Sequence, residues 1–190
     1  MNVIEKYFDV VHFFKFIILV LIFYYFSVAF HGIVSPEGGL YSAFLDQYFN
    51  YIDWIRSSIM YAAVVIAYNF GTEAYIAGSQ LINIENVVQL NIWLPCVGLG
   101  VISFWIAFII TNSGHWKRKL LWSVMGFLAI CFINTLRIAL LLIALDNRWT
   151  GHISIDHHDI FNIAAYTVIL LMMYMYNRKN STVDSTSTTT

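Results

Sequence analysis

The sequence predicts an all-α protein, a multi-pass transmembrane helix bundle with about five to six crossings. Three observations predict it. The first is composition: 59% of the 190 residues are hydrophobic and 11% charged, where soluble domains carry about 25% charged residues, and the mean hydropathy is +0.70. The second is the length of the apolar runs, since a hydrocarbon core roughly 30 Å thick is crossed by about 20 apolar helical residues. The third is the placement of basic residues: Lys117-Arg118-Lys119 and Arg178-Lys179 fall between or after those runs, as cytoplasmic anchors do.

Taken in order, the first run covers Phe16 to Phe30 and is extended by Val10 to Phe14 and by Ile33-Val34. It exceeds the apolar core of a cleavable signal peptide, roughly 7 to 15 residues, and has no convincing small-residue cleavage site. A retained crossing helix is expected. After Ser35-Pro36-Glu37-Gly38-Gly39 comes a stretch to Arg56 rich in Tyr and Phe that carries Asp46 and Asp53, which reads as an interfacial helix or a buried loop. Ser58 to Phe70 reaches crossing length when Tyr51 to Arg56 are counted with it, and it ends at Gly71.

From Ala74 to Pro95 apolar residues alternate with Gly, Ser, Gln, Asn and Glu85. This is a weak strand-like pattern, expected as a surface loop leading into Cys96. Three further crossings are expected at Val97 to Thr111, Leu120 to Leu145 and Ile160 to Tyr176. Residues 1–180 thus form a single integral membrane domain, and the Ser/Thr tail 181–190 is expected to be disordered.

With the basic clusters placed inside, Cys96, Asp146 and His158 fall on the outer side. The N-terminal half fits less simply. Two crossings before Cys96 would put the N-terminus outside, against the weak preference of Lys6 and Lys15, and a further crossing within Gly39 to Arg56 would remove the conflict. The net charge of -1 supplies no basic field for nucleic acid, so no nucleic-acid partner is expected. The two cysteines, Cys96 and Cys131, argue by their settings against a disulfide framework.

Cys96 sits where a polar loop enters an apolar helix, a setting suited to a nucleophilic thiolate; the other reading is a small buried hydrophobe. Arg137 lies deep in an apolar run, where a charge is costly and commonly marks function. About 18 residues at roughly 1.5 Å each separate it from Lys119, placing it near the outer surface at a depth similar to Cys96. Snorkelling to the outer headgroups is the alternative. Asn134, three residues earlier, shares its helix face, whereas Cys131 reads as core.

The third cluster, His152, Asp156, His157, His158 and Asp159, opens the last run. Its histidines can move protons near neutral pH, with Asp156 and Asp159 as orienting carboxylates, or the two aspartates simply cap the helix. Thiol, guanidinium and imidazole at one membrane face are the parts of an acyl-transfer site. Two rivals stay open: a His/Asp membrane metal site, and a non-catalytic scaffold or transport subunit with a polar pathway.

The order Cys96-Val97-Gly98, Asn134-x-x-Arg137 and His158 at the mouth of the last helix resembles the exosortase/archaeosortase family of membrane cysteine transpeptidases. The similar block runs from about Leu81 to Tyr176 and includes Lys117-Arg118-Lys119 followed by Leu120-Leu121. Val97 stands where the family usually has Ser, and Asn162 where it has Gly. The resemblance implies Cys96 as nucleophile, Arg137 as the essential arginine and His158, or alternatively His157, as the third catalytic residue, with Asn134, Asp156 and Asp159 in support. It implies no cofactor and no metal. The implied partners are membrane lipids and exported proteins carrying a C-terminal sorting signal, cleaved through a thioester at the outer face of the cytoplasmic membrane and passed to an envelope acceptor or to water.

Overall fold

The structure, a computed structural model, describes residues 10–36, 39–83, 89–147 and 157–184. The chain is mostly helical. The described residues form α1 (Val10–Val34), α2 (Ala43–Phe49), α3 (Tyr51–Asn69), strands β1 (Ala74–Ala77), β2 (Gln80–Asn83) and β3 (Gln89–Asn91), a 3-10 turn (Leu94–Val97), α4 (Leu99–Thr111), α5 (Trp116–Asp146) and α6 (His157–Asp184).

Helices α1 and α5, of 25 and 31 residues, are long and apolar enough to cross a membrane. Helix α1 is apolar on every side and buries only Val34. Phe14, Ile18, Leu21, Ile22, Tyr25 and Phe26 all stand exposed, the pattern of a helix whose surroundings are apolar. Helix α5 instead carries a buried stripe through Trp122, Gly126, Ile130, Asn134, Ile138 and Leu142, the four-residue step of one helix face.

Neighbouring contacts fix the direction of each helix. Lys119 Nζ donates to the Ile110 carbonyl at 2.9 Å, and Asn134 reaches Val97, so α4 runs antiparallel to α5. Phe16 packs edge-on against Phe104, Tyr24 lies beside Gly100, and Phe30 packs on the cluster of Ile52, Val97 and Leu99, so α1 is antiparallel to α4. Tyr176 meets Trp122 and Phe108, its hydroxyl donates to the Ser113 carbonyl at 3.3 Å, and Arg118 donates to the Tyr176 carbonyl while its guanidinium stacks on the Tyr176 ring. The C-terminal part of α6 therefore lies at the basic end of α5.

Helix α3 departs from the expected pattern. Its first turns, at Tyr51 and Ile55, share a cavity with Phe127 and Cys131, and beyond its end Thr72 Oγ1 donates to Asp146 Oδ2 at 2.9 Å. It therefore runs parallel to α5, beside that helix's second half only. Tyr51 is also fastened to the late part of α1, through its hydroxyl to Ser27 Oγ at 3.1 Å and by stacking on Phe30. Helix α3 covers the stretch from Ser58 to Asn69 together with Tyr51 to Arg56, and its buried residues Ile59, Met60, Ala63 and Ala67 pack on Ile138, Ala139, Leu142 and Ile143.

The Ala74–Pro95 region, expected as a loop, carries an antiparallel sheet in the order β1-β2-β3, with Ala74 opposite Asn83 and Leu81 opposite Leu90. Its inner face puts Leu81 and Ile92 into the core shared by α3 and α5. Asp146, at the end of α5, accepts from both Thr72 and Asn83, the latter at 3.0 Å. The expected helical class is shown in its main part, and this small sheet, whose alternation was visible in the sequence, is the element it left out. Helix α4, of 13 residues, begins two residues after the expected Val97, and α6 runs to Asp184, past the start of the Ser/Thr tail at 181.

Candidate functional site

The segment that carries Cys96 descends from β3. Cys96 lies in the 3-10 turn Leu94–Val97, where its N–H donates to the Trp93 carbonyl at 2.9 Å. Gly98 follows at φ 79°, a left-handed conformation that favours glycine, and its carbonyl accepts the first α4 bond, from Ile102 N–H at 2.9 Å. The thiol thus stands ahead of α4, separated from its first residue by Val97 and Gly98.

Asn134 holds this turn against α5. Its Nδ2 donates to the Val97 carbonyl at 3.1 Å, and a Cβ added to Gly98 would fall on that same nitrogen. Gly98 is therefore required twice, for its backbone angle and for the closeness of Asn134. The expectation of a polar patch on α5 acquires a concrete role here, since one of its members satisfies a carbonyl next to the cysteine.

Arg137, one turn along the same face, is 8% exposed. Together with Cys96 it lines a cavity of about 340 Å³, completed by Leu90, Asn91, Ile92, Trp93, Ile138 and Leu141. Spacings of three, four and seven residues put Asn134, Arg137, Ile138 and Leu141 on one side of α5. A thiol and a permanently charged guanidinium border one largely apolar cavity, a setting in which negative charge developing near the guanidinium would be strongly felt.

His157, His158 and Asp159 fall in the first turn of α6, but their side chains, and all of His152 and Asp156, lie outside the described residues. The same holds for the expected His/Asp metal cluster. Among the described residues no group of three His, Cys, Asp or Glu side chains is arranged to hold a metal. Cys131 packs against the α3–α5 core and lines a separate apolar cavity of about 550 Å³ with Tyr51, Trp54, Ile55 and Phe127.

Sequence reasoning missed a polar cavity of about 740 Å³ on the other side of Asn91–Trp93, bordered by His31, Asp46, Asn50, Asp53 and Arg56. Within it Arg56 is ion-paired with Asp53, and Asn50 Nδ2 donates to Asp46 Oδ1 at 2.7 Å. Tyr41 donates to Asp46 Oδ2 at 3.0 Å, a bond that pushes its phenol above the ordinary range. The only signal in the sequence was the unusual density of Asp and Arg among aromatics between residues 46 and 56. Compared with protein-family models, with curated proteins and with solved structures, the chain finds no match.

Proposed function

We propose that the protein is an exosortase-like membrane cysteine transpeptidase that cleaves a C-terminal sorting signal from exported proteins at the outer face of the cytoplasmic membrane. The observation that carries this reading is the cavity shared by Cys96 and Arg137, two residues 41 positions apart in sequence and delivered by different elements.

In this reading the membrane is crossed by α1, α4, α5 and α6. Helix α4 with its preceding 3-10 turn spans about 28 Å. The parallel course of α3 supports counting it out, because a helix beside only the second half of α5 has no inner half to span. With one crossing before Cys96 in place of two, the N-terminus faces the cytoplasm, as Lys6 and Lys15 prefer. Helix α5, about 46 Å long against a core of roughly 30 Å, projects outward by some 16 Å. Its projecting end, α3 and the sheet then form a cap over the outer surface.

The Cys96 thiolate attacks the scissile carbonyl and forms the S–C bond. Arg137 stabilises the negative oxygen of the tetrahedral species or the thiolate itself. His158, or His157, gives a proton to the leaving amine as the C–N bond breaks, which leaves a thioester on Cys96. An acceptor amine or hydroxyl, or water, then attacks the thioester and releases the thiolate.

The test uses a co-expressed exported protein whose C-terminus carries a short motif, a membrane helix and a basic end. Cys96→Ala and Arg137→Ala remain in the membrane and abolish maturation of that protein. Normal maturation by Cys96→Ala overturns the assignment.

A further inference from the structure

Strand β3 has one neighbour. It closes the order β1-β2-β3 and pairs with β2 alone among the described residues. In an antiparallel ladder, residues that exchange both main-chain bonds with the partner alternate with residues that exchange none. Ile92 N–H donates to the Ser79 carbonyl at 2.9 Å, so Ile92 and, two residues back, Leu90 turn their main-chain groups toward β2. Those of Gln89 and Asn91 then point away from it, toward the open edge.

That edge borders the reactive cavity, since Leu90, Asn91, Ile92 and Trp93 line it together with Cys96 and Arg137. Gln89-Leu90-Asn91 contains no Lys and no Pro, two of the residues that commonly block pairing with another chain. The strand is also rigidly held. Leu81 and Ile92 are buried in the core, and Asn83 is tied to Asp146.

We propose that the free edge of β3 is a strand-pairing site for an extended peptide, whose main chain bonds to Gln89 and Asn91 and is thereby led to the Cys96 thiol. The proposal rests on the acyl-transfer reading and specifies how its substrate is held. An extended peptide is the occupant because a row of alternately free N–H and C=O groups matches only another extended main chain. A helix has spent those groups internally, and a lipid offers no such repeat. Recognition through the main chain tolerates varied side chains and leaves specificity to the cavities on either side of Asn91–Trp93.

The experiment follows alkylation of Cys96 in the full-length protein in lipid vesicles by two reagents: acetyl-tetraalanyl chloromethyl ketone, which brings an extended main chain, and iodoacetamide, which brings none. With the peptide reagent the rate saturates. Asn91→Pro removes an edge N–H without removing a bond to β2, and it lowers the efficiency of the peptide reagent about three- to tenfold, the range for a main-chain hydrogen bond. The iodoacetamide rate stays within about twofold, since that reagent makes no such bond. On the unaltered protein, N-methylation of alternate alanines in the reagent produces the same loss, which keeps the test independent of any effect of proline on folding.

A peptide reagent that shows no saturation, or is indifferent to both changes while iodoacetamide modifies Cys96, overturns strand pairing and leaves the acyl-transfer reading standing. Maturation that survives Cys96→Ala removes the acyl-transfer reading itself.

Discussion

Asn134 and Gly98 stand in tight contact: the Asn134 amide nitrogen occupies the space a Gly98 side chain would need while donating to the Val97 carbonyl at 3.1 Å. This contact locks the turn that holds Cys96 to the helix that holds Arg137. Asn134→Ala leaves the Val97 carbonyl unpaired, at about 1–3 kcal/mol. Gly98→Ala adds backbone strain of about 1–3 kcal/mol and collides with Asn134. The double variant is expected to be less destabilised than the sum of the two, because removing the amide relieves the collision. Thermal unfolding of the three variants measures that coupling, and strict additivity contradicts the geometry.

Asp146 ties the sheet to α5 through Thr72 and Asn83, each only 1% exposed. Asp146→Ala removes the hydrogen bonds to Thr72 and Asn83 and is expected to destabilise the protein by about 1–3 kcal/mol. Hydrogen exchange is expected to accelerate at β1 and β2 while the middle of α5 stays protected. Uniform acceleration along the chain would mean that the sheet is held by other contacts.

Gly126 faces the Trp105 indole so closely that an added Cβ would fall on the ring, and Trp105 Nε1 donates to the Trp122 carbonyl at 3.0 Å. Gly126→Ala therefore overpacks the α4–α5 contact, at about 1–3 kcal/mol, and shifts the tryptophan emission. An unchanged spectrum and melting temperature would place Trp105 elsewhere.

The four-crossing reading is checked by cysteine labelling in a Cys96→Ser, Cys131→Ser background. A membrane-impermeant maleimide added from outside is expected to reach Ser79→Cys and to miss Val10→Cys and Lys117→Cys. Labelling of Val10→Cys from outside would restore a second crossing before the 3-10 turn.

The parts of the fold legible in the sequence were those set by local composition. Helix α1 shows as an unbroken apolar run, and α5 follows the run from Leu120 to Leu145 to within a few residues at each end. Direction was not legible. A hydropathy run has the same profile whichever way it points, so the parallel course of α3 beside α5, with Tyr51 near Phe127 and Thr72 bonded to Asp146, could not be read from it. The alternation from Ala74 to Pro95 was visible, but its pairing was not, because strand register is decided by the surface it covers.

At the candidate site, counting helical rise from Lys119 brought Arg137 to the depth of Cys96, and both border one cavity. The closeness of Gly98 and Asn134 lay beyond reach, since no spacing rule links residues 36 positions apart. A glycine after a cysteine reads the same whether it serves a turn or a neighbour.

The 31 residues of α5 act as a ruler in the four-crossing reading. Its basic end rests at one membrane surface, so Arg137 stands at a fixed height of about 27 Å above Lys119, whatever the lipid. Biological membranes differ in thickness by a few Å, enough to submerge that height among acyl chains or lift it into the headgroups. If the acyl-transfer proposal holds, the lipid composition of the host bilayer then becomes a control on how freely water reaches the cavity between Cys96 and Arg137.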